Sequence, residues 1–454
     1  MAAEIWDVVV VGAGLSGLSA AHLLRKRNAG LKILILEGKD RVGGRTVSKE
    51  IPAAGGTDRW DFGGQWTGST QTHILELIKE LGLETYPQYN VGKKVYHAGG
   101  PGARIHTYTS RIPALSPLVL MDFLQMLWRI ERLCATVCIE DPSTTPGADE
   151  LDSMTFQSYI EKHVWTAALK EQLGISCRTL FGLEASQMSF LFLLVYVAAA
   201  GGLLPLLESS PGSAQELKVK GGTQQLSERL AERVEWQNIQ LSSGVMTIWQ
   251  LLSLTSVIYD AFGFTAYVIA KIEYQPALPS QRRFLMQNMP VGHMIKFLIT
   301  YQTAFWKEKG FSGEIVAGLS SDSPFSVTFD ATTPRGNAAL VGFIAGHQAS
   351  LWSSKEKTPN KGVWQVKMKI SDASKCLDDV SEGVRYVVGA KANNLPRGNV
   401  AGQGEVQDPV ASMLMVDVGE GSCTNCCTSD NFNGAQQREQ LPTSALYVLQ
   451  RPAQ

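Results

Sequence analysis

The hydrophobic pattern near the start of the chain predicts a strand, a turn, a helix and a second strand. An unbroken apolar run, Val8 to Val11, is typical of a parallel strand that is buried on both faces. Apolar residues then recur at helical spacing from Leu18 to Leu24, and a second apolar run from Leu31 to Leu36 ends on Glu37. This order predicts parallel strands joined by a helix, the repeating unit of an α/β fold.

Further along, the pattern predicts a group of helices and then a return to strands. Residues 117–139 are a strong helix candidate, and residues 154–189 have the apolar spacing of two or three short helices. Residues 218–230 predict a strand, a glycine turn and an amphipathic helix, and the alternation around Lys296 predicts another strand. The pattern as a whole is that of an α/β protein.

Two uncharged stretches raise the question of a membrane span. Residues 188–207 are long enough to cross a bilayer, but a Gly-Gly pair and Pro205 interrupt them, which favours a core helix of a large domain. Residues 241–259 are divided by serines and Gln250, which argues against a span. We therefore expect neither stretch to cross a membrane.

The turn after the first predicted strand is a glycine motif that indicates nucleotide binding. Gly12, Gly14 and Gly17 form G-x-G-x-x-G, whose glycines permit a tight turn, close approach to a pyrophosphate, and close packing of helix on strand. Phosphate would lie at the helix N-terminus, at Ser16, where unpaired N–H groups favour an anion. Glu37 ends the second strand, where a carboxylate accepts hydrogen bonds from ribose hydroxyls. Together these features predict a dinucleotide site, against the alternative of a glycine-rich turn without a ligand.

A second glycine pair narrows the choice of dinucleotide. Gly43 and Gly44 lie between Arg41 and Arg45, so the backbone can run against a ligand while a guanidinium contacts phosphate. A site for a nicotinamide dinucleotide does not need this second glycine pair with its flanking arginines. The segment 61–66, D-F-G-G-Q-W, is followed by T-G-S-T-Q-T-H-I-L-E-L-I-K-E-L-G-L-E-T-Y. With these motifs the chain resembles the flavin-containing amine oxidases, and the last segment resembles the monoamine oxidase family in particular.

The resemblance implies FAD as the cofactor and assigns roles to individual residues. Lys296 matches the family's lysine that reaches the flavin N5 through a water molecule, whereas a surface lysine of a strand is the alternative. Val245 matches the valine whose backbone holds the adenine, and Gln215 matches a glutamine of the substrate cavity, although an exposed loop amide is an equal alternative. The expected FAD-binding residues are Gly12, Gly14, Ser16, Gly17, Glu37, Gly38, Arg41, Gly43, Gly44, Arg45, Gly64, Gln65, Trp66 and Val245.

The resemblance also implies how the chain divides. We expect a Rossmann-like FAD-binding domain from residues 1–85 and 215–250, interleaved with a substrate domain of mixed sheet and helices from residues 86–214 and 265–352. The similarity is interrupted at about 251–266 and ends at residue 352. Residues 353–454 are rich in Gly, Ser, Asn, Gln and Lys with weak periodicity, and we leave them unassigned as a poorly ordered tail.

This last region does not contain the family's covalent-flavin cysteine motif or its final flavin-binding segment. Cys423 follows Gly-Ser but precedes Thr424, and neither it nor Cys426 and Cys427 has the second pair or histidine of a zinc site, so we predict no metal. Our hypothesis is that an altered splice product or a shifted reading frame explains both the interruption at about 251–266 and the unmatched region 353–454. A truncated or aberrant, catalytically inactive form of such an enzyme is therefore an open alternative.

Composition bears on partners and compartment. The 454 residues include 41 Lys and Arg against 42 Asp and Glu, a formal net charge of −1, which gives no electrostatic reason to bind nucleic acid or an anionic membrane. Seven cysteines, an odd number, favour a reducing compartment over a disulfide scaffold. The resemblance leaves the cytoplasm and the mitochondrial outer membrane open as locations; it allows membrane association, for which we see no anchor, and a homodimer.

The resemblance implies oxidative deamination of primary monoamines to aldehyde, ammonia and hydrogen peroxide. The partners would be a small-molecule amine and dioxygen. The matched region contains no Ser/His/Asp set and no paired carboxylates, in keeping with chemistry that a flavin carries. Polyamine oxidases and L-amino-acid oxidases stay open as alternatives of related chemistry.

Overall fold

The computed structural model describes residues 6–98, 105–113, 115–249, 257–259, 272–289, 291–318, 325–353, 412–417 and 447–450. The helices are α1 (Leu15–Arg27), α2 (Thr72–Glu80), α3 (Pro117–Cys134), α4 (Ala148–Ser153), α5 (Phe156–His163), α6 (Ala167–Phe181), α7 (Phe190–Ala199), α8 (Leu203–Leu207), α9 (Gln224–Val234), α10 (Ser280–Asn288), α11 (Phe305–Glu308) and α12 (His347–Ser353). The strands are β1 (Val8–Val11), β2 (Ile33–Leu36), β3 (Ser48–Ala53), β4 (Gly56–Asp61), β5 (Trp66–Thr67), β6 (Thr85–Pro87), β7 (Lys93–His97), β8 (His106–Tyr108), β9 (Leu217–Val219), β10 (Ile239–Gln240), β11 (Val245–Trp249), β12 (Val257–Tyr259), β13 (Glu273–Gln275), β14 (Met294–Thr300), β15 (Phe311–Ala317), β16 (Val327–Asp330), β17 (Ala339–Ala345), β18 (Ser412–Asp417) and β19 (Tyr447–Gln450).

A four-stranded sheet carries the glycine turn. Its order is β10-β2-β1-β12, and each neighbouring pair is parallel. Helices α1 and α9 pack on it through a core that includes Leu18, Ile35 and Leu230. The two strands and the helix predicted from the first apolar runs are confirmed. Strand β12 falls within the interrupted stretch at about 251–266, where the sequence pattern did not predict a strand.

A helical layer is formed by α3 to α8. Its core includes Met126, Ile130, Phe190 and Leu194, which are almost fully buried. The uncharged stretch 188–207 forms two short helices, α7 and α8, because the glycine pair between them adopts left-handed backbone angles. Among the residues described here, no helix is long and apolar enough to cross a membrane.

Helix α3 ends earlier than the pattern predicted. It stops at Cys134 instead of continuing to residue 139. The hydroxyl of Thr136 donates to the carbonyl of Leu133 at 2.8 Å, which satisfies a helix-end acceptor and competes with further helical hydrogen bonds. A β-branched residue, Val137, follows and also disfavours continuation.

A seven-stranded sheet of mixed direction forms the second large layer. Its order is β18-β14-β17-β16-β15-β7-β8. One face is a continuous apolar core that includes Ile295, Phe297 and Ile315. The residues that alternate with these lie on the opposite face, which we call the Lys296 face; it carries Met294, Lys296, Val316, Val327 and Phe343. Strand alternation and register therefore decide which side chains meet there.

Two strands come from the region that the sequence left unassigned. Strand β18 pairs antiparallel with β14 at the edge of the seven-stranded sheet, and β19 pairs antiparallel with β11. Cys423, Cys426 and Cys427 lie outside the described residues, as does most of 353–454. The division into an FAD-binding domain, a substrate domain and a poorly ordered tail stays a prediction.

Candidate functional site

The glycine turn is held in a shape that only glycine permits. Gly12 has a φ of 104°, and a Cβ added to Gly17 would lie 2.2 Å from the carbonyl oxygen of Gly12. Gly14 is the N-cap of α1, where no side chain provides a capping hydrogen bond and no acidic residue lies in the first turn. The helix therefore presents N–H groups to an external anion, as a pyrophosphate site requires.

Glu37 is fixed beside this turn. Its Oε2 accepts from the backbone N–H of Ala13 at 2.8 Å, and its Oε1 accepts from the N–H of Lys39 at 2.9 Å. These bonds hold a buried carboxylate at the carboxyl end of β2, where a ribose would be bound. Val245, on β11, packs against Val9 and Leu34 of the four-stranded sheet. The backbone N–H of Ser243 donates to the carbonyl of Glu37 at 2.7 Å, so the Val245 segment is tied to the acidic residue.

The second glycine pair lies against the first. Gly43 and Gly44 have φ values of 101° and 54°, and the N–H of Gly43 donates to the carbonyl of Ala13 at 2.9 Å. A Cβ on Gly44 would lie 3.6 Å from the Cα of Gly14, so the two glycine segments face each other closely. Gly38 likewise lies close to Gly244, because a Cβ added to Gly38 would be 3.7 Å from the Cα of Gly244. The loop is thus built for backbone contact with a ligand.

The arginines of this loop differ in what they contact. The guanidinium of Arg41 donates to the carbonyls of Val42 at 3.2 Å and Gly44 at 2.9 Å, which braces the loop. The carbonyl of Arg45 accepts from the N–H of Gly64 at 3.2 Å, and a Cβ on Gly63 would lie 1.8 Å from that same carbonyl. Arg45 therefore links the nucleotide turn to the D-F-G-G-Q-W segment.

Lys296 contacts the same D-F-G-G-Q-W segment. Its side chain is 2% exposed, and its Nζ donates to the carbonyl of Gly63 at 2.9 Å and to Oε1 of Gln65. The Nζ is also 5.9 Å from the ring centre of Trp66 and 5.8 Å from that of Phe343. Burial lowers the pKa of Lys296 to about 7, although the nearby Asp61 carboxylate opposes the shift. A lysine in this state can exchange a proton near neutral pH.

The residues present fit a flavin dinucleotide. The uncapped N-terminus of α1 and the glycine pairs suit a pyrophosphate, and a Cβ on Gly64 meets no atom within 4 Å, so its backbone borders open space. The Nε2 of Gln65 is buried without a hydrogen-bond partner beside Lys296. An unpaired buried donor is costly, and a heteroaromatic ring with acceptor atoms would satisfy it.

Asp61 and Lys218 are buried charges near Lys296 that the sequence analysis did not identify as functional. Burial raises the pKa of Asp61, against the attraction of Lys296 and hydrogen bonds from Ser48 and Thr223. Burial lowers the pKa of Lys218 to about 8, against the attraction of Asp330. The alternating strand pattern of Lys218 resembles that of an exposed edge, so only the folded sheet reveals its burial.

A chain of hydrogen bonds connects Trp66 to Lys218. The indole N–H of Trp66 donates to Oε1 of Gln88 at 2.9 Å, and Nε2 of Gln88 donates to the carbonyl of Asp330 at 2.8 Å. The Nζ of Lys218 donates to that same carbonyl at 3.3 Å. The carboxylate of Asp330 accepts from the indole of Trp306 at 2.9 Å and pairs with Lys307 at 3.1 Å. The indole of Trp66, which lies beside Lys296, is therefore held in place by this series of hydrogen bonds.

Gln215 lies on the segment between α8 and β9. Its Nε2 donates to the carbonyl of Leu206 at 3.1 Å, and its Oε1 is buried without a partner. The amide is thus part-buried against the helical layer, in contrast to the exposed loop amide that the sequence left as an alternative. Its role towards a substrate stays a prediction.

Comparison with known proteins identifies relatives of this architecture. The family model described as flavin containing amine oxidoreductase matches residues 15–369. A probable flavin-containing monoamine oxidase A of Dictyostelium discoideum is 32% identical over 370 residues, which cover 79% of this chain and 78% of that protein. Amine oxidase [flavin-containing] A of Bos taurus is 34% identical over 374 residues, covering 79% of this chain and 68% of that protein.

Solved structures of amine oxidases share the fold. A putrescine oxidase bound to putrescine superposes with a TM-score of 0.69 at 27% identity, covering 77% of each chain. Cyclohexylamine oxidase from Brevibacterium oxydans superposes with a TM-score of 0.70 at 26% identity, covering 83% of this chain and 80% of that one.

These matches confirm the predicted α/β fold, FAD as the cofactor and the activity class of an amine oxidoreductase. The amine itself, a homodimer, membrane association and the roles of single residues stay predictions. Because the family model covers most of the chain and the relatives exceed 30% identity over more than two thirds of their length, this chain belongs to the flavin-containing amine oxidoreductases.

Proposed function

We propose that this chain deaminates primary amines oxidatively, with monoamines as the class expected from the sequence. The amine, dioxygen and water would yield an aldehyde, ammonia and hydrogen peroxide. The observation that carries the proposal is the series of hydrogen bonds that links the glycine turn, through Arg45 and Gly64, to Lys296. A nucleotide cradle without a redox partner would not require a buried lysine at its far end.

When bound, FAD would take up the pair of electrons released from the carbon that bears the amine and pass them to dioxygen. The chain's own residues would bind the dinucleotide and orient it. The α1 N-terminus and Arg41 loop would hold the pyrophosphate, and Glu37 would hold the ribose. Trp66 and Phe343 shield the space beside Lys296 from water, and the Nζ of Lys296 holds or releases a proton.

The charges around this space favour a neutral amine at the reacting end. Oxidation of the carbon next to nitrogen uses the nitrogen's lone pair, which an ammonium ion lacks. Burial disfavours the charged form of Lys296, whose pKa it lowers to about 7, and of any ammonium group placed beside it. This environment supports loss of the amine's proton before oxidation, with Lys296 as a residue that can move a proton.

The visible absorption spectrum of the purified chain, before and after acid precipitation, tests the proposal together with a peroxide assay on primary amines. We expect a flavin spectrum that leaves with the supernatant, and peroxide formed only when amine and dioxygen are both present. Protein that is folded but carries no flavin, even after incubation with FAD, would contradict the proposal and support the inactive form.

A further inference from the structure

The side-chain amide of Gln65 contacts Lys296 directly in the interior of the protein. Gln65 is 5% exposed and Lys296 is 2% exposed, so both lie away from bulk water. The Oε1 of Gln65 accepts a hydrogen bond from the Nζ of Lys296, and the carbonyl of Gly63 accepts a second one at 2.9 Å. The sequence analysis assigned Gln65 to the flavin and did not connect it with the lysine.

The backbone that carries these two acceptors is fixed by its neighbours. A Cβ added to Gly63 would lie 1.8 Å from the carbonyl oxygen of Arg45, so the turn is tightly packed against the preceding loop. The carbonyl of Gly64 accepts from the hydroxyl of Thr223 at 2.6 Å, which ties the same turn to the start of α9. The two acceptors therefore determine the direction of the N–H groups of Lys296.

The number of acceptors matches the neutral form of the lysine. A neutral amine has two N–H groups and a lone pair, whereas an ammonium group has three N–H groups and no lone pair. Gly63 and Gln65 take up both N–H groups of the neutral form, and its lone pair is the position that stays unoccupied. Among the described residues, the third N–H of an ammonium group would have no oxygen acceptor, which is costly when buried. The ring centres of Trp66 and Phe343, at 5.9 and 5.8 Å, are near the outer limit of a cation–π contact.

The charged groups around Lys296 agree with this count. In the described part of the chain, Asp61 of β4 and Lys218 of β9 are the charged residues that act on it. The carboxylate of Asp61 is already engaged, since it accepts from the hydroxyl of Ser48 at 2.7 Å and from the N–H of Thr223 at 2.8 Å. Burial outweighs the attraction of Asp61 and lowers the pKa of Lys296, and the positive charge of Lys218 lowers it further.

The other half of the Gln65 amide explains how its orientation would be kept. Its Nε2 is buried without a hydrogen-bond partner. If the amide were reversed, Nε2 would meet the Nζ of Lys296, and a donor would face the N–H groups of the lysine. A ring acceptor of the bound dinucleotide would satisfy Nε2 and keep Oε1 directed towards the lysine.

We propose that Gln65 is a positioning residue that holds Lys296 as an oriented neutral base for the ammonium group of the substrate. In this step an N–H bond of the ammonium group breaks and its proton bonds to the lone pair of Nζ. The substrate is left as a neutral amine, with the lone pair that oxidation requires, and Nζ later passes the proton to water. The inference rests on the proposed function, and it adds a residue that sets the direction in which Lys296 accepts a proton.

Stopped-flow reduction of the bound flavin by pentylamine, a primary monoamine, in the absence of dioxygen tests this role. Gln65→Glu keeps an oxygen for one N–H but adds a negative charge that favours the ammonium form of Lys296. We therefore expect the rate to fall about tenfold at about pH 7 and to recover to within about threefold by about pH 10. Gln65→Met removes the acceptor without adding a charge, so its rate should fall at least about tenfold at both pH values.

The matched control is Gln71→Glu, the same chemical change a few residues further along the chain. The Oε1 of Gln71 accepts from the hydroxyl of Thr67 at 2.9 Å and from the N–H of Gly68 at 3.1 Å, and a carboxylate can accept both bonds. This variant should keep the pH profile of the unaltered chain. A full rate in Gln65→Met, or a loss in Gln65→Glu that is equal at both pH values, would show that Gln65 only supports the fold.

An NMR titration of the full chain, labelled with carbon-13 at the Cε of lysine, separates this inference from the proposed function. The Cε shift reports the protonation of the amine, and comparison with Lys296→Met identifies the signal of Lys296. We expect half-protonation at about pH 7 in the unaltered chain and in Gln71→Glu, and at least about one pH unit higher in Gln65→Glu. If no amine is oxidised, the proposed function fails but this expectation stands. Titration of Lys296 at the same pH in Gln65→Glu and in the unaltered chain would overturn the inference whatever the enzymatic result.

Discussion

The glycine turn and the Lys296 face achieve their positions by different means. At the turn, backbone crowding decides: a Cβ at Gly17 would lie 2.2 Å from the carbonyl oxygen of Gly12. On the Lys296 face, long-range strand register brings buried charges together; Nζ of Lys296 bonds to Gly63, which is 233 residues away along the chain. Changes at the turn should therefore affect folding and flavin content, whereas changes on the face should affect rates and pH dependence.

The largest expected effect is that of Gly17→Ala. The added methyl group would overlap backbone at Gly12, so the turn and the start of α1 must shift, and we expect unfolding to become easier by about 3 kcal/mol together with loss of bound flavin. Chemical denaturation and the ratio of visible to protein absorbance measure both. Gly64→Ala is the control for folding, because its Cβ meets no atom within 4 Å, and it should change stability by less than about 0.5 kcal/mol. Equal stabilities of the two variants would contradict the role given to the turn.

Lys296→Met should change rate without removing flavin. The apolar replacement fills the same space but cannot exchange a proton, and we expect amine oxidation to slow about 100-fold. Stopped-flow measurements of amine-dependent flavin reduction and of reoxidation by dioxygen show which half-reaction is affected. Lys220→Met, at a lysine whose side chain is 57% exposed, is the matched control and should retain full activity. An unaltered rate of amine oxidation in Lys296→Met would show that Lys296 takes no part in the reaction.

The difference in the free energy of unfolding between the unaltered chain and Lys296→Met should depend on pH. The pKa of Lys296 is lowered from 10.5 to about 7 by burial, so between these values the unfolded chain binds more protons than the folded chain, and rising pH favours folding. The unaltered chain should therefore gain stability relative to Lys296→Met by about 1.4 kcal/mol per pH unit between pH 7 and pH 10.5, and show no such gain below pH 7. Denaturation of both proteins at several pH values measures the difference. A difference that is constant with pH would mean that Lys296 stays charged.

Gln88→Leu should give the smallest effect. It leaves the indole N–H of Trp66 without its acceptor and the carbonyl of Asp330 without one donor, so we expect a loss of about 1–2 kcal/mol in the free energy of unfolding. Because Trp66 borders the space beside Lys296, the variant should also raise KM more than it lowers kcat. Gln157→Leu, at an exposed amide that bonds to Glu161, is the control. An effect on stability equal to that of the control would show that the hydrogen bonds of Gln88 do not hold Trp66 in place.

The predictability of the two regions follows from the same physical difference. The turn could be predicted because strand, glycines, helix and Glu37 lie within one short segment, and each residue type has a local reason. The Lys296 face could be predicted only in part. The resemblance led to Lys296, Gln65 and Trp66, but the burial of Lys218 depends on pairing with strands distant in sequence.

Glu208 and Glu314 show why the rest could not be predicted. In the sequence, Glu208 precedes a run of Ser, Pro and Gly, and Glu314 stands in an alternating strand, as many exposed carboxylates do. Their burial appears only in the folded chain, where Glu208 is 8% exposed and Glu314 pairs with the largely buried Lys94. The end of α3 at Cys134 is a smaller example, since local side-chain hydrogen bonds ended a helix that apolar spacing alone would have continued.

Anaerobic mixing of the purified chain with pentylamine, followed through the visible flavin band and then by admission of air, tests the central claim most directly. The account predicts that the band bleaches before air is admitted, and that air restores it with one equivalent of hydrogen peroxide per flavin. A bound flavin that dithionite can bleach but neither putrescine nor pentylamine can would contradict the claim that this site oxidises amines.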